Sequence, residues 1–239
     1  MKQASKIIEF PLDTTSKINV TVTKKRMKTL RLTISKSAQV AVSIPYYTSY
    51  SYAYEFLVRK RSWIVSQLSK IKLRLSKDCC NFVNNGNIFL LGNNYWLKLE
   101  QSTKNKVDFD GGFTIYCKNL ATEYVKEVFI KWCKKYFLDF FTNRLNNTYQ
   151  QIFNDNNVPI VKIKTMKSMW GNCNFVNRVI SLNLYLAKAP IECIDYVITH
   201  ELIHLVHHNH GKDFYAMLNN ILPDWKVKKN KLNNCSLQF

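Results

Sequence analysis

The pattern of apolar and polar residues over the first 120 positions indicates β-strands interrupted by one helix. In three segments near the start of the chain, valine, isoleucine and leucine alternate with polar residues, which is typical of half-buried strands. Between positions 51 and 77 the apolar residues recur every three or four positions, which predicts a helix with one apolar face. Short strands then resume, with turn-forming pairs at Asn85-Gly86 and Gly111-Gly112. The predicted strands cover 18–22, 30–34, 40–44, 88–91, 95–99, 107–109 and 113–116.

Helical patterns dominate the second half of the chain. A helix is predicted from 121 to about 153, and we interpret its broad apolar stripe as core. Strands are predicted at 160–164 and 179–182, with a loop or short strand around Trp170 between them, and helices follow over 190–208 and 212–221. The stripe of the first helix consists of Val125, Val128, Phe129, Trp132, Tyr136, Phe140 and Leu145.

The change from strands to long helices near residue 120 predicts two regions and an α+β fold class. Residues 1–120 are expected to form an antiparallel β-rich accessory region, and residues 121–239 a domain built around the longer helices. The sequence contains no internal repeat and no obvious linker.

The chain is strongly basic, and its charge is unevenly distributed. Its 239 residues include 35 lysines and arginines against 16 aspartates and glutamates, a formal net charge of +19, and residues 1–120 hold 20 of the basic and 7 of the acidic residues. This excess favours an anionic partner such as DNA. Arg59, Lys70 and Lys77, on the polar face of the 51–77 helix, are the candidate nucleic-acid-binding residues. The alternative is that the codon usage of an AT-rich genome supplies the lysines, and that this helix face is simply solvated.

The cysteines and the N-terminal composition bear on the compartment of the protein. Seven cysteines occur without a CxxC pair, a pattern that favours reduced thiols over a disulfide framework. The first fifteen residues lack the apolar core of a signal peptide, and no window approaches 18 apolar residues. We therefore expect a cytoplasmic protein with no membrane partner.

All five histidines lie between positions 200 and 210, and two of them form an HExxH motif with Glu201. The apolar periodicity before the motif predicts a helix, so that His200 and His204 lie one turn apart on the same face. Two imidazoles in this arrangement can bind one zinc ion. Glu201 is offset by about 100° around the helix, which suits a general base that acts on a zinc-bound water without binding the metal.

A catalytic zinc requires a third protein ligand, and His210 is the best candidate. On a straight helix His207 would lie about 10 Å from His200 along the axis, and His208 would point sideways. Asn209 can adopt the left-handed conformation that ends a helix, which would bring His210 back toward the metal. His207 and His208 are then expected to be solvated near the helix C-terminus. The prediction is one Zn²⁺ per chain.

Several motifs in the last third of the chain resemble those of the YgjP-like metallopeptidase family. These zincin-type zinc proteins are similar to SprT-like and WLM proteases. The resemblance implies a zincin-like fold for the C-terminal domain, His200, His204 and His210 as zinc ligands, and Glu201 as the catalytic residue. This sequence departs from the family pattern Arg-Trp-Gly-Ser-Cys at two positions, where it has Met169 and Asn172 in place of the arginine and the serine. The matching segments are MWGNC at 169–173, ISLN at 180–183, AP at 189–190, DYVI at 195–198, HELIHL at 200–205, NH at 209–210, Phe214 and PDW at 223–225.

Candidate substrate-binding residues flank the metal motif. In zincin folds the strand before the active-site helix is an edge that pairs with extended substrate, and 179–183 is the candidate, with Asn183 at its end. An ordinary internal strand is the alternative. Trp170 is a candidate wall of the cleft, or part of the core. Cys173 is expected to be a small buried hydrophobe, and Asp195 a surface carboxylate or a residue that orients a ligand.

The function predicted from these features is hydrolysis of peptide bonds by a zinc-bound water that Glu201 activates, on proteins associated with nucleic acid. One alternative is a nucleic-acid-binding module with a non-catalytic zinc site, although a purely structural site would not need Glu201. Another is zinc-dependent hydrolysis of a non-peptide bond.

Overall fold

The computed structural model describes residues 5–35, 38–77 and 80–235, and it describes side chains throughout these ranges except at 73–77. The chain divides into two compact units, residues 1–77 and residues 78–239. The predicted boundary near residue 120 falls inside the second unit, because the sheet before residue 120 shares its core with the long helix after it. The structure does not test whether residues before and after position 120 have separate accessory and metallopeptidase functions, so that division stays a prediction.

The first unit contains a four-stranded sheet with the order β1-β2-β4-β3. The outer pairs are antiparallel, but β2 and β4 run parallel, with Val22 opposite Val42. The sheet departs here from the predicted antiparallel arrangement, because alternation has a period of two in either direction and therefore does not report strand direction. The strands are β1 (Ser5–Pro11), β2 (Lys17–Lys25), β3 (Arg31–Ile34) and β4 (Val40–Pro45).

Two helices, α1 (Tyr50–Arg59) and α2 (Arg61–Lys77), replace the single helix predicted over 51–77. The break lies at Lys60, whose φ of −98° and ψ of 6° are not helical. The apolar spacing continues through the break from Leu57 to Ile64, so the pattern alone does not reveal it. The core of this unit consists of Phe10, Val20, Val22, Val40, Val42, Ile44, Ala53, Leu57 and Ile64.

The second unit begins with a sheet of order β5-β6-β8-β7, in which β6 and β8 are parallel and the outer pairs antiparallel. Helix α3 (Thr122–Ile152) contacts this sheet. Both ends of the predicted stripe are buried, but in the middle of the helix the buried face follows Cys133, Phe137 and Phe141, one position further on, so Tyr136 is 49% exposed. Within the described ranges, no helix combines the length and apolar character needed to cross a membrane. The strands are β5 (Gly86–Leu90), β6 (Asn93–Gln101), β7 (Lys106–Phe109) and β8 (Phe113–Cys117).

A three-stranded sheet of order β10-β11-β9 lies next in the chain. Strand β11 is central, antiparallel to β10 and parallel to β9, so residues 179–183 are not the edge strand that the sequence suggested. The edge nearest the histidine motif is β10, which contacts α4. The remaining elements are β9 (Ile160–Lys164), β10 (Gly171–Asn174), β11 (Val179–Asn183), a 3₁₀ helix (Leu184–Lys188), α4 (Ile191–Ile203), α5 (Lys212–Ile221) and α6 (Trp225–Asn233).

Candidate metal centre

Helix α4 carries the first two candidate ligands and is held firmly in the core. It is shorter than predicted, since it ends at Ile203 and not near His208. His204 follows as the C-cap, with φ of −65° and ψ of −11°, so its side chain remains one turn from His200. Burial on almost every side fixes the position of this helix. Its buried residues are Cys193, Ile194, Tyr196, Val197, Ile198, Thr199, Glu201, Leu202 and Ile203.

His210 reaches the same place through a tight turn after α4. The N–H of Gly211 donates a hydrogen bond of 2.8 Å to the carbonyl of Asn209. Asn209 is not left-handed, in contrast to the prediction; the non-glycine residues with positive φ in the described ranges lie elsewhere. One ring nitrogen each of His200, His204 and His210 lies within 4.8 Å of the other two. The structure therefore brings together the three histidines chosen from the sequence.

The donor set of these histidines fits zinc. The Nε2 atoms of His200 and His210 are 3.0 Å apart, close to the separation of about 3.3 Å expected for two nitrogens of a tetrahedral zinc site. Nδ1 of His204 lies 3.0 Å from the carbonyl of His207. Because a carbonyl only accepts, Nδ1 must carry the proton, which leaves Nε2 of His204 free to bind a metal.

The surroundings also keep the imidazoles of His200 and His204 neutral, the state that binds metal. Burial lowers the pKa of His200 to about 3, with further lowering by His204, His210 and the cation of Lys229. Burial likewise lowers the pKa of His204. The ring of Phe214 on α5 lies 4.7–4.9 Å from all three imidazole rings, centroid to centroid, and so packs against the whole group.

His207 and His208 lie outside this group and have other contacts. His207 contributes its backbone carbonyl to His204, as described above. The exposed ring of His208 stacks on Phe175 with a centroid separation of 3.6 Å, and its Nδ1 lies 3.1 Å from the carbonyl of His204. Phe175 belongs to the turn between β10 and β11, so this stack joins that turn to the histidine loop.

The carboxylate of Glu201 is buried between α4 and the edge strand β10. A Cβ atom built on Gly171 would lie 2.6 Å from Oε1 of Glu201, so only a glycine leaves room for this side chain. The backbone N–H of Cys173 donates a hydrogen bond to Glu201, which lowers its pKa slightly. Burial is the larger effect and raises the pKa of Glu201 to about 8.

A cleft of about 330 Å³ opens over Glu201, His200 and His210. The segment Met169, Trp170 and Gly171 lines one side, while residues of α5 and α6 line the other. Trp170 thus contributes to the cleft wall and also packs against the core. The lining from the opposite side consists of Tyr215, Trp225, Lys229, Leu232 and Asn233.

Asn183 lies outside the cleft, in contrast to the predicted role in substrate binding. The residue is fully buried. Its Nδ2 donates to the carbonyls of Met166 and Met169 at 2.7 and 2.8 Å, and its Oδ1 accepts from the N–H groups of Met166 and Tyr185. Because these bonds engage both polar atoms, Asn183 holds the loop before β10 in place and does not face substrate.

Asp195 and Cys173, the other residues near the motif that the sequence singled out, have contacts that stabilise the fold. The guanidinium of Arg144 on α3 donates to both carboxylate oxygens of Asp195, at 2.7 and 2.6 Å. Asp195 therefore joins α3 to α4 and does not orient a histidine. Cys173 is half-buried, and burial, with the nearby Glu201, raises the pKa of its thiol to about 11. The thiol lies outside the histidine group, as expected, but it is half-buried and not fully buried as predicted.

The candidate nucleic-acid residues lie in the first unit and do not share one helix. Arg59 is exposed at the end of α1, with its guanidinium 5.5 Å from the ring of Tyr52, and Lys70 is exposed on α2. The break at Lys60 separates them. The side chain of Lys77 lies outside the described residues.

Comparison with known proteins identifies the family. The family model described as "YgjP-like, metallopeptidase domain" matches residues 28–235. The chain is also similar to two crystal structures of metallopeptidase zymogens, jannalysin of Methanocaldococcus jannaschii and abylysin of Pyrococcus abyssi, with 24% and 20% identity and TM-scores of 0.35 and 0.36. These matches cover 39% and 38% of this chain, and 93% and 90% of those chains. No curated protein matches. The family match confirms the resemblance seen in the sequence, and the chain belongs to the YgjP-like metallopeptidase family.

Proposed function

We propose that this protein is a zinc-dependent peptidase with His200, His204 and His210 as ligands and Glu201 as the catalytic residue. The observation that carries the proposal is that Glu201 lines one open cleft with His200 and His210, and that His204 lies within 4.8 Å of both histidines. A structural zinc site normally has four protein ligands and no use for a base, whereas three ligands leave a position open. This arrangement favours catalysis over the alternative of a nucleic-acid-binding module with a non-catalytic site.

Glu201 is the residue that moves protons in the proposed reaction. When bound, zinc polarises the substrate carbonyl and lowers the pKa of a coordinated water. The Glu201 carboxylate accepts a proton from the attacking water and donates it to the leaving amine. A zinc ion on the neighbouring histidines would favour the carboxylate form that acts as the base. The Cys173 N–H and the space over Gly171 hold the carboxylate in position.

The edge strand β10 supports recognition of an extended peptide. It has β11 on one side and no second strand neighbour within the described ranges. A peptide that pairs with this edge would lie along the segment that covers Glu201, and main-chain pairing would tolerate many side chains. We therefore propose that β10, and not the predicted residues 179–183, is the free edge that pairs with substrate.

A second part of the proposal concerns location on nucleic acid. Residues 1–77 contain 16 basic and 3 acidic residues, a formal net charge of +13. Such a unit would bind phosphate groups without much sequence preference. We propose that it brings the peptidase to proteins that are bound to DNA, with Arg59, Lys70 and Lys77 among the contacts.

Cleavage assays with point variants test the peptidase proposal. The wild-type protein, loaded with zinc, is incubated with a mixture of peptides and with free and DNA-crosslinked proteins, and products are identified by mass spectrometry. Glu201→Gln should keep about one zinc per chain and lose about 10²–10⁴-fold in rate. His204→Ala should lose the zinc, and His207→Ala is the control that should retain it. Wild-type turnover by Glu201→Gln would contradict the mechanism.

A further inference from the structure

Helix α6 places one lysine in the wall of the cleft. Trp225, Lys229 and Leu232 lie at helical spacing on the face that lines it. Trp225 and Leu232 are buried, whereas Lys229 is exposed. The stem of Lys229 therefore starts from a fixed helix face, and its ammonium group is accessible to a molecule in the cleft.

The other lysines of α6 separate into paired and unpaired groups. Lys228 forms an ion pair with Asp224 at 2.7 Å, and Lys231 forms one with Glu192. Neither Lys226 nor Lys229 has an ion-pair partner among the described residues. Both instead lie near the Trp225 ring, with Nζ 5.7 and 5.6 Å from its centroid. Only Lys229 lines the cleft.

An aromatic surface holds this cation without neutralising it. The Trp225 ring stacks on Tyr215 at 5.5 Å and on Tyr196 at 6.4 Å. A lysine over an aromatic ring is attracted by the ring quadrupole, while its three N–H donors stay available. The only acidic side chain in the described cleft lining is Glu201, which is buried beside Gly171. The α6 side of the cleft therefore carries positive charge with no acid of its own.

We propose that Lys229 binds a carboxylate of the substrate, so that peptides with a carboxylate near the scissile bond are preferred. This inference rests on the proposed peptidase function. The carboxylate has two possible sources, an acidic side chain or the free C-terminus of the peptide. The first would make the protein an acid-directed endopeptidase, and the second would make it release residues from chain ends.

Matched peptides test the inference on the zinc-loaded, full-length protein. Starting from a peptide that the wild-type protein cleaves, glutamate is compared with glutamine at each position around the scissile bond, with a free or an amidated C-terminus. The carboxylate should raise kcat/KM by about tenfold, mainly through KM. If amidation removes the preference, Lys229 binds the free C-terminus of the peptide. If a Glu→Gln change in the peptide removes it, Lys229 binds an acidic side chain.

The variants Lys229→Gln and Lys226→Gln form a matched pair, because both remove a cation near Trp225. Lys229→Gln should reduce the ratio of kcat/KM between carboxylate-bearing and neutral peptides to about one. Lys226→Gln should leave this ratio unchanged. A ratio that survives in Lys229→Gln, or a wild-type protein without any preference, would overturn the inference while the peptidase function stands.

Failure of the peptidase function has a separate signature. If the wild-type protein cleaves no peptide while it holds zinc, the proposed function is wrong. Binding to zinc-loaded Glu201→Gln then tests Lys229 independently of turnover, with fluorophore-labelled peptides of one sequence that differ only in glutamate against glutamine or in a free against an amidated C-terminus. Tighter binding of the carboxylate peptides that is lost in the double variant Glu201→Gln/Lys229→Gln would support the subsite, and equal binding of both peptides would reject it.

Discussion

The two four-stranded sheets have the same strand order and the same pattern of directions, but their charges differ greatly. Strands β1 to β4 belong to a unit with 16 basic and 3 acidic residues, whereas residues 78–120, which include β5 to β8, hold 4 of each. Codon usage that favours lysine would act on both segments. Of the net charge of +19, +13 is therefore concentrated in the first unit, which favours an interaction over composition as its explanation.

The two sheets also differ in what their cores support. The core of the first sheet is a separate cluster with α1 and α2. The core of the second is continuous through α3 to α4, the helix that carries His200 and Glu201. The same arrangement of strands thus supports the candidate site in one unit and a basic surface in the other.

The largest effect is expected from Gly171→Ala, which acts on the second unit alone. The new Cβ would lie 2.6 Å from Oε1 of Glu201, so the carboxylate must move. We expect a loss of about 10²-fold or more in peptidase rate, because small displacements of a catalytic group are costly, with zinc content unchanged. Rate assays and metal analysis measure the two effects.

Gly211→Ala is the matched control for Gly171→Ala. A Cβ atom at Gly211 meets no atom within 4 Å, although the residue follows His210 directly. Its φ of −81° suits alanine. Full activity in Gly171→Ala would show that the position of the Glu201 carboxylate does not matter.

A second effect, on stability and not on rate, is expected from equivalent core positions of the two sheets. Val42 lies opposite Val22 in one parallel pair, and Ile115 lies opposite Leu99 in the other. Ile115→Ala should lower the free energy of unfolding of the second unit by about 2–5 kcal/mol, and Val42→Ala should lower that of the first by about 2 kcal/mol. Hydrogen exchange resolved by residue measures each. Faster exchange in α4 of Val42→Ala would contradict the separation of the cores.

The smallest effect concerns the basic surface. Arg59→Gln combined with Lys70→Gln should reduce the slope of log K against log salt for duplex DNA by about 1.8, or 0.9 for each phosphate contact. Lys104→Gln combined with Lys118→Gln removes two exposed lysines from loops next to the second sheet and should leave the slope unchanged. Mobility shifts at two or more salt concentrations give the slope. A wild-type protein that fails to bind DNA at low salt would reject the nucleic-acid proposal.

Periodicity in the sequence predicted most helices and strands. It did not predict the directions of paired strands or the break between α1 and α2. Helix α3 was predicted over 121–153 and covers Thr122–Ile152, and strand β9 was predicted within its observed bounds. The parallel pairs were missed because alternation carries no direction. Strand β1 has no clear alternation, and α6 has few apolar residues, so neither was predicted.

The candidate site was predictable where its residues are close in sequence. His200, Glu201 and His204 share one helix turn, and His210 follows within a few residues. The turn at Asn209 brings His210 back without the left-handed residue that we expected. Gly171 and Lys229 each lie about 30 positions from Glu201, and no local pattern connects them to it. The one signal in the sequence was Gly171 itself, since a glycine allows the backbone to approach another group closely, here the Glu201 side chain.

The shared strand order also constrains how each sheet can assemble in time. Each contains two hairpins between sequence neighbours and one parallel pair between distant segments, such as Val20 with Val40 or Leu97 with Phe113. Isolated hairpins form in about 1–10 μs, and a pairing between distant segments must first close a longer loop. We therefore expect the hairpins β1–β2 and β3–β4 to form before β2 and β4 join, and the second sheet to follow the same sequence of events.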